Sequence, residues 1–178
     1  MPTKALFLDR DGVINIDTGY VYRPEDFHLV PGIIDLCRAA QEAGYLIVVI
    51  TNQSGIARSM FSEEDFSKLC LWMRQLFSSQ GVRIDAIYHC PVLDDHHPDR
   101  KPNPGLFLKA TSDLQIDLTS SFSVGDKERD ISAALSAGVA SNYLLSETPS
   151  PTQATARVSS LSELTHLLFP HFLSQTPS

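Results

Sequence analysis

Three cysteines in 178 residues, at positions 37, 70 and 90, are too few and too scattered for a disulfide framework. An odd, unpaired set fits reduced thiols, and a cytoplasmic location is expected. Positive charge is also scarce. Fourteen Lys and Arg stand against 21 Asp and Glu, giving a formal net charge of −7 and an isoelectric point near 5.2. That balance argues against a general binder of nucleic acid or of anionic membranes. An anionic substrate would need local cations and metal to hold it against the global field. Long apolar runs are missing too. The longest, Leu46-Ile47-Val48-Val49-Ile50, is far too short to span a bilayer. No leader peptide is expected, because the first residues lack an apolar segment with a small-residue cleavage site. No repeat or long low-complexity tract interrupts the chain. What is present is ordinary for a soluble globular fold, 43% hydrophobic and 20% charged. The length suits one domain over residues 1–178, expected to be a monomer.

Strand and helix patterns alternate along the chain. Ala5 to Leu8 is a short buried strand. A long connection from Arg10 to Pro31 follows, of a length that usually serves function. Ile33, Leu36, Cys37 and Ala40 share a helical face that Gly44 closes. Tyr45 to Ile50 is a continuous apolar run, as for a parallel strand covered on both faces. Ser62 and Asp65 resemble a capping box ahead of a helix burying Phe66, Leu69, Cys70, Met73, Leu76 and Phe77, with Gly81 at its end. Ile84 to Tyr88 is a third strand, and a polar loop runs from His89 to Asn103. Asn103-Pro104 starts a helix carrying Leu106, Phe107, Ala110 and Leu114. Ser121 to Val124 is a fourth strand. The next helix turns Ile131, Ala134 and Leu135 inward and stops at Gly138. Ala140 to Leu145 is a fifth strand. Residues 146–156 are loop, Arg157-Val158 is a short edge strand, and Leu161, Leu164, Leu167 and Leu168 mark a closing helix. Ser174 to Ser178 is expected to fray. Such alternation predicts an α/β fold, a three-layer Rossmann-like parallel sheet with right-handed crossovers. Its site should lie beyond the carboxyl ends of the strands.

Chemistry concentrates at those ends. Asp9 and Asp11, separated by one residue at the end of the first strand, point to the same side of an extended backbone. Two like charges so placed want a cation nearby, and carboxylate oxygens suit a hard ion such as Mg²⁺. A carboxylate can also attack phosphorus. Asp-x-Asp-Gly taken alone is also compatible with a surface turn. Thr51, Lys101 and Asp126 should converge on the same edge. Taken singly, Thr51 could merely end a strand, Lys101 could be solvated, Asp126 could cap a helix, and Asp130 could lie on a helix surface.

Together these residues resemble the haloacid dehalogenase (HAD) superfamily, subclass IIIA, over nearly the whole chain. Asp9-Arg10-Asp11-Gly12, Thr51 in Thr51-Asn52-Gln53-Ser54-Gly55, Lys101 in Arg100-Lys101-Pro102, and Gly125-Asp126-Lys127-Glu128-Arg129-Asp130 follow the family's motif order. The resemblance implies a Mg²⁺-dependent phosphatase with a minimal (C0) cap. Asp9 would be the nucleophile that forms an aspartyl-phosphate, and Asp11 the general acid and base. Thr51 and Lys101 would stabilise the phosphoryl oxygens. Mg²⁺ would sit on the Asp9 side chain, the Asp11 carbonyl and Asp126, with Asp130 as a further or supporting carboxylate.

Finer strings resemble the branch that removes the C7 phosphate of D-glycero-D-manno-heptose 1,7-bisphosphate in ADP-heptose and lipopolysaccharide synthesis. These are Phe7 to Asn15, Gly19-Tyr20-Val21, Thr51 to Arg58, and Cys90-Pro91 followed by Arg100-Lys101-Pro102. On that likeness Arg10, Asp17, Thr18, Gly19, Tyr20, Asn52, Gln53, Ser54, Arg100 and Lys127 would contact a phosphorylated sugar, Arg100 taking the distal phosphate. Relatives in this branch carry a structural zinc on Cys-x-His and Cys-x-Cys. Here Cys90 is kept, Val92 replaces the His, and His97 and Asp99 replace the later cysteines. Valine cannot ligate and the thiolates are lost, which counts against zinc; His96 is the one available substitute. The alternatives are a histidinol-phosphate phosphatase, which should offer a carboxylate to an amine rather than Arg100, another small phosphomonoesterase, a polynucleotide 3′-phosphatase, which should show a basic aromatic groove, or a silent phospho-ligand binder, which would need no nucleophile.

Overall fold

The computed structural model describes residues 2–172. The strands are β1 (Lys4–Leu8), β2 (Tyr45–Asn52), β3 (Ala86–Cys90), β4 (Phe122–Gly125), β5 (Ser141–Leu145) and β6 (Ala156–Val158). Between and after them lie the helices α1 (Ile33–Glu42), α2 (Glu63–Ser79), α3 (Gly105–Leu114), α4 (Glu128–Ala137) and α5 (Leu161–Leu168). All strands pair in parallel in the order β3-β2-β1-β4-β5-β6. The chain moves outward from β1 through β2 to β3, then crosses back to the other side of β1. The order therefore reverses between β1 and β4, and a crevice opens beyond their carboxyl ends.

Alternation along β1 divides the core into two layers. Leu6 and Leu8 join Ile47 and Val49 against α1, α2 and α5, through Leu36, Cys37, Leu69, Met73, Phe77 and Leu161. Ala5 and Phe7 join Val48 and Ile50 against α3 and α4, through Leu106, Phe107, Ala110, Ala133 and Ala134. The predicted three-layer sheet is thus present. The Ser62–Asp65 capping box forms reciprocally, the Ser62 hydroxyl taking the Asp65 N–H at 3.0 Å and the Asp65 carboxylate taking the Ser62 N–H at 2.9 Å.

Several expectations need correction. The third strand starts at Ala86, not Ile84. The Asp85 carboxylate accepts the Ile47 N–H at 2.8 Å, standing where a ladder carbonyl would, so regular pairing begins one residue later. The same strand runs on to Cys90, and β2 to Asn52, because their tips pair with each other. Helix α3 begins at Gly105, with Pro104 as its flanking residue. Leu135 and Leu167, expected inside, are exposed. Cys70 is only half-buried. The Ser174–Ser178 expectation lies outside the described residues.

Between β1 and α1 the chain folds back as a flap. The Ile16 N–H donates to the His28 carbonyl at 2.8 Å and the Val30 N–H to the Ile14 carbonyl at 2.9 Å. Between Thr51 and Lys101 there is only α2, β3 and their loops, so no inserted domain roofs the crevice. Among the described residues, no helix is long and apolar enough to cross a membrane.

Candidate active site

Strand β1 delivers Asp9 to the crevice, where it is 9% exposed. Its N–H continues the sheet by donating to the Val124 carbonyl at 3.1 Å, so β4 fixes its backbone. Lys101 Nζ donates to Asp9 Oδ1 at 2.9 Å and to the Ile50 carbonyl at 2.8 Å, and lies 2.8 Å from Asp130 Oδ1. Lys101 arrives from a loop, yet it is only 3% exposed. Asn52, at the tip of β2, holds it there. Its amide nitrogen donates to the Lys101 carbonyl and its amide oxygen accepts the Lys101 N–H, both at 3.1 Å.

The chain turns sharply after Asp9. The Arg10 carbonyl accepts the Ile14 N–H at 2.7 Å, and Gly12 has a φ of +92°. A Cβ at Gly12 would lie 2.2 Å from Asp126 Oδ2, so glycine is required for both backbone and space. Asp11 is held by three side chains. Arg10 donates to its Oδ1 at 2.7 Å, Asn15 to the same oxygen at 3.1 Å, and Gln53 to its Oδ2 at 2.9 Å. Gln53 also donates to the Thr51 hydroxyl at 2.9 Å, tying the second motif to the first.

Asp126 follows β4, and Asp130 sits one turn into α4. Asp130 is 5% exposed, far from the surface position left open above. Its Oδ2 accepts the N–H groups of Asp126 and Lys127, at 3.2 and 3.1 Å, and so shapes the loop that carries Asp126. One oxygen from each of Asp9, Asp126 and Asp130 lies within 4.8 Å of the others. Among the described residues no other such set of three or more potential ligands occurs. Burial, then the carboxylate of Asp130 and that of Asp126, push the Asp9 carboxyl up to about 8 despite Lys101. Burial and Asp130 raise Asp126 as well. Burial alone would raise Asp130, but contact with Lys101 and the Lys127 N–H outweigh it and hold this carboxyl low. Burial opposes charge on Lys101 too, and Asp130 and Asp9 more than restore it.

A cleft of about 330 Å³ opens over this floor. Of the residues expected to touch substrate, Asp17, Gly19, Tyr20, Asn52, Gln53, Ser54, Arg100 and Lys127 line it, as do Asp9 and Asp11. Arg10 does not. It is 1% exposed, and its guanidinium is committed to Asp11 and to the Val21 carbonyl of the flap at 2.6 Å. Thr18 is exposed without lining the cleft. Thr51 and Lys101 lie buried behind the wall. Asn52 lines the cleft with both amide atoms already engaged. Three lining residues lie outside the set expected from the sequence, Gly55, Arg58 and Arg129. Each stood inside a motif string, where the residues of known chemistry drew the attention.

The loop after β3 is held without thiolate pairs. Cys90 Sγ is 4.0 Å from His97 Nδ1, which takes the Asp99 N–H at 3.2 Å. Asn103 donates to the Asp95 and His97 carbonyls, both at 2.9 Å. His96 is exposed.

Residues 7–144 match the family described as Polynucleotide kinase 3 phosphatase. The chain is 46% identical over 164 residues to a D-glycero-alpha-D-manno-heptose-1,7-bisphosphate 7-phosphatase of Burkholderia mallei, covering 88% of this chain and 87% of the relative. It is 45% identical over 153 residues to a D-glycero-beta-D-manno-heptose-1,7-bisphosphate 7-phosphatase of Yersinia pestis, covering 79% of each. A D,D-heptose 1,7-bisphosphate phosphatase from B. bronchiseptica, crystallised with magnesium and phosphate, superposes with a TM-score of 0.83 at 29% identity. That match covers 94% of this chain and 99% of the other.

Proposed function

We propose that this chain, which belongs to the D-glycero-D-manno-heptose-1,7-bisphosphate 7-phosphatases of the HAD superfamily, removes the C7 phosphate of D-glycero-D-manno-heptose 1,7-bisphosphate and leaves the C1 phosphate in place. The observation that carries this reading is the pairing of an acidic, lysine-balanced floor with a rim of cations in one cleft.

The floor fits Mg²⁺. It offers only oxygen donors, it has more carboxylates than Lys101 can balance, and Asp126 Oδ1 is buried without a hydrogen-bond partner. The ion would be held by Asp9, the Asp11 carbonyl and Asp126, and would supply positive charge to the transferring phosphoryl group. The chain's own residues do the rest. Asp9 attacks phosphorus and the sugar oxygen departs. Lys101 and the Arg10 N–H fix the Asp9 carboxylate through Oδ1, which restricts its approach to one geometry. Asp11 gives the departing oxygen a proton, then takes one from the water that cleaves the aspartyl-phosphate. Arg10, Asn15 and Gln53 set its orientation for both steps. Thr51 and Lys101 stabilise charge on the phosphoryl oxygens, and Asp130 positions Lys101 and the Asp126 loop. Asp17, Gly19, Tyr20, Ser54 and Lys127 contact the sugar phosphate from the cleft wall, and Arg100 faces its distal end.

The reading extends to one domain acting as a monomer in the cytoplasm. The single sheet supports the first, and three free thiols the cytoplasmic location. Histidinol phosphate fits less well, because its amine would meet Arg58, Arg100, Lys127 and Arg129 at the rim. The deciding assay compares kcat/KM for the heptose bisphosphate and histidinol phosphate with Mg²⁺ present. A large preference for the bisphosphate is expected, and the reverse order overturns the assignment.

A further inference from the structure

Four cations line the cleft, but their charges are not equally available. Arg100 Nε donates to Asp95 Oδ1 at 2.8 Å and its terminal nitrogen to the Val92 carbonyl at 3.1 Å. Lys127 Nζ lies 3.5 Å from Asp17 Oδ2 and 3.9 Å from Asp126 Oδ2. Both are already answered by carboxylates. Arg58 and Arg129 are exposed and line the same cleft, and among the described residues neither makes an ion pair.

Neither arginine is tied down by an ion pair, and Arg129 acts on the Asp95 and Asp130 carboxylates only at longer range. Arg129 is the second residue of α4, where the helix dipole favours anions and disfavours a cation. Arg58 sits in the turn after β2, its N–H donating to the Ser54 carbonyl at 3.1 Å, and its side chain makes no ion pair among the described residues. The two arise from different crossovers, and the cleft they share is the one over Asp9. A guanidinium offers a planar fork of donors that matches phosphate oxygens.

We propose that Arg58 and Arg129 form the subsite for the distal, non-reacting phosphate of a bisphosphorylated sugar. This rests on the bisphosphatase reading and assigns its distal-phosphate binding to two residues beyond Arg100. Arg100, bonded directly to Asp95, shapes that end of the cleft, and the Arg58 and Arg129 guanidinium groups, which form no ion pair among the described residues, supply its net charge. Selectivity for a bisphosphate over a monophosphate then resides in them.

The test is a ratio: kcat/KM for heptose 1,7-bisphosphate divided by kcat/KM for the same heptose carrying only the C7 phosphate. It is measured for the wild type, R58Q, R129Q, the double variant and R129K, each checked for an unchanged thermal midpoint. The wild type should favour the bisphosphate. The double variant should lose roughly tenfold or more of that ratio, through KM more than kcat, with R129K retaining part of it. A double variant that folds and keeps the wild-type ratio overturns the subsite alone. A wild-type ratio near one overturns the bisphosphatase reading, and the subsite with it.

Discussion

Asparagine at position 9 keeps the size of aspartate and its hydrogen bond from Lys101, and removes the charge that attacks phosphorus. Asp9→Asn is therefore expected to fold normally and to show no turnover, with circular dichroism and phosphate release as the paired measurements. Asp11→Asn removes the proton carrier, and with it one of the two oxygens that accept from Arg10, Asn15 and Gln53. Its kcat should fall about 10²–10⁴-fold while KM changes little. The raised carboxyl of Asp9 gives a pH prediction. Its acid has an ordinary value of 3.8 and is pushed to about 8 in the metal-free fold, so folding favours the protonated form. Stability from this group is greatest at low pH and is lost as pH rises from about 4 to about 8. With chelator present, the urea midpoint of the wild type relative to Asp9→Asn should fall across that window, and Mg²⁺ should reverse the fall. A difference that stays flat or rises would mean that the carboxylate is not desolvated. At this scale the sequence was most legible for Asp9, Asp11, Asp17 and Lys127, each placed at the cleft by motif alone. The position of Arg10 was not legible, because adjacency in a motif does not reveal that a guanidinium turns back to clamp Asp11.

Elements meet the site through a few side chains at their tips. Asn52 fastens the tip of β2 to the loop that carries Lys101 through two backbone hydrogen bonds. Asn52→Ala should cost about 1–3 kcal/mol in chemical denaturation, and lower kcat by letting Lys101 drift from Asp9. Unchanged kcat would show that Lys101 is held by its ion pairs alone. Gly12→Ala should fold less stably because of its +92° φ. It should also bind Mg²⁺ about 10–100-fold more weakly, read by calorimetry, since the new methyl group displaces Asp126. The helix and strand sequence was readable from periodicity, and the capping box from two residues. The start of β3 was not, because it depends on the side chain of Asp85 bonding across to Ile47, a contact 38 residues away in sequence. Burial of Asp130 was hidden for the same reason, since Lys101, arriving from another loop, supplies most of what keeps an acidic residue on that helix face stable inside.

The whole molecule is acidic, yet it gathers Arg58, Arg100, Lys127 and Arg129 around one opening. A substrate anion is repelled by the surface at large and attracted at short range. Salt screens both contributions over a Debye length of about 8 Å at 0.15 M. Because the rim cations lie nearest the ligand, KM for the bisphosphate should rise between low and high salt while kcat stays nearly constant. A KM indifferent to salt would assign binding to neutral contacts. The Rossmann-like order was legible as strand-helix alternation, and its reversal between β1 and β4 explains why Asp9 and Asp126, far apart in sequence, share a crevice. The reacting groups are anchored to a rigid sheet. The rim comes from the flap, the turn after β2, the loop after β3 and the first turn of α4, each leaving the sheet and returning to it. Exchanges at the rim of those connections that leave Lys101 and Asp130 in place can therefore accumulate in a lineage without shifting the carboxylates beneath them. New ester preferences can arise by drift at the rim while hydrolysis itself is inherited unchanged.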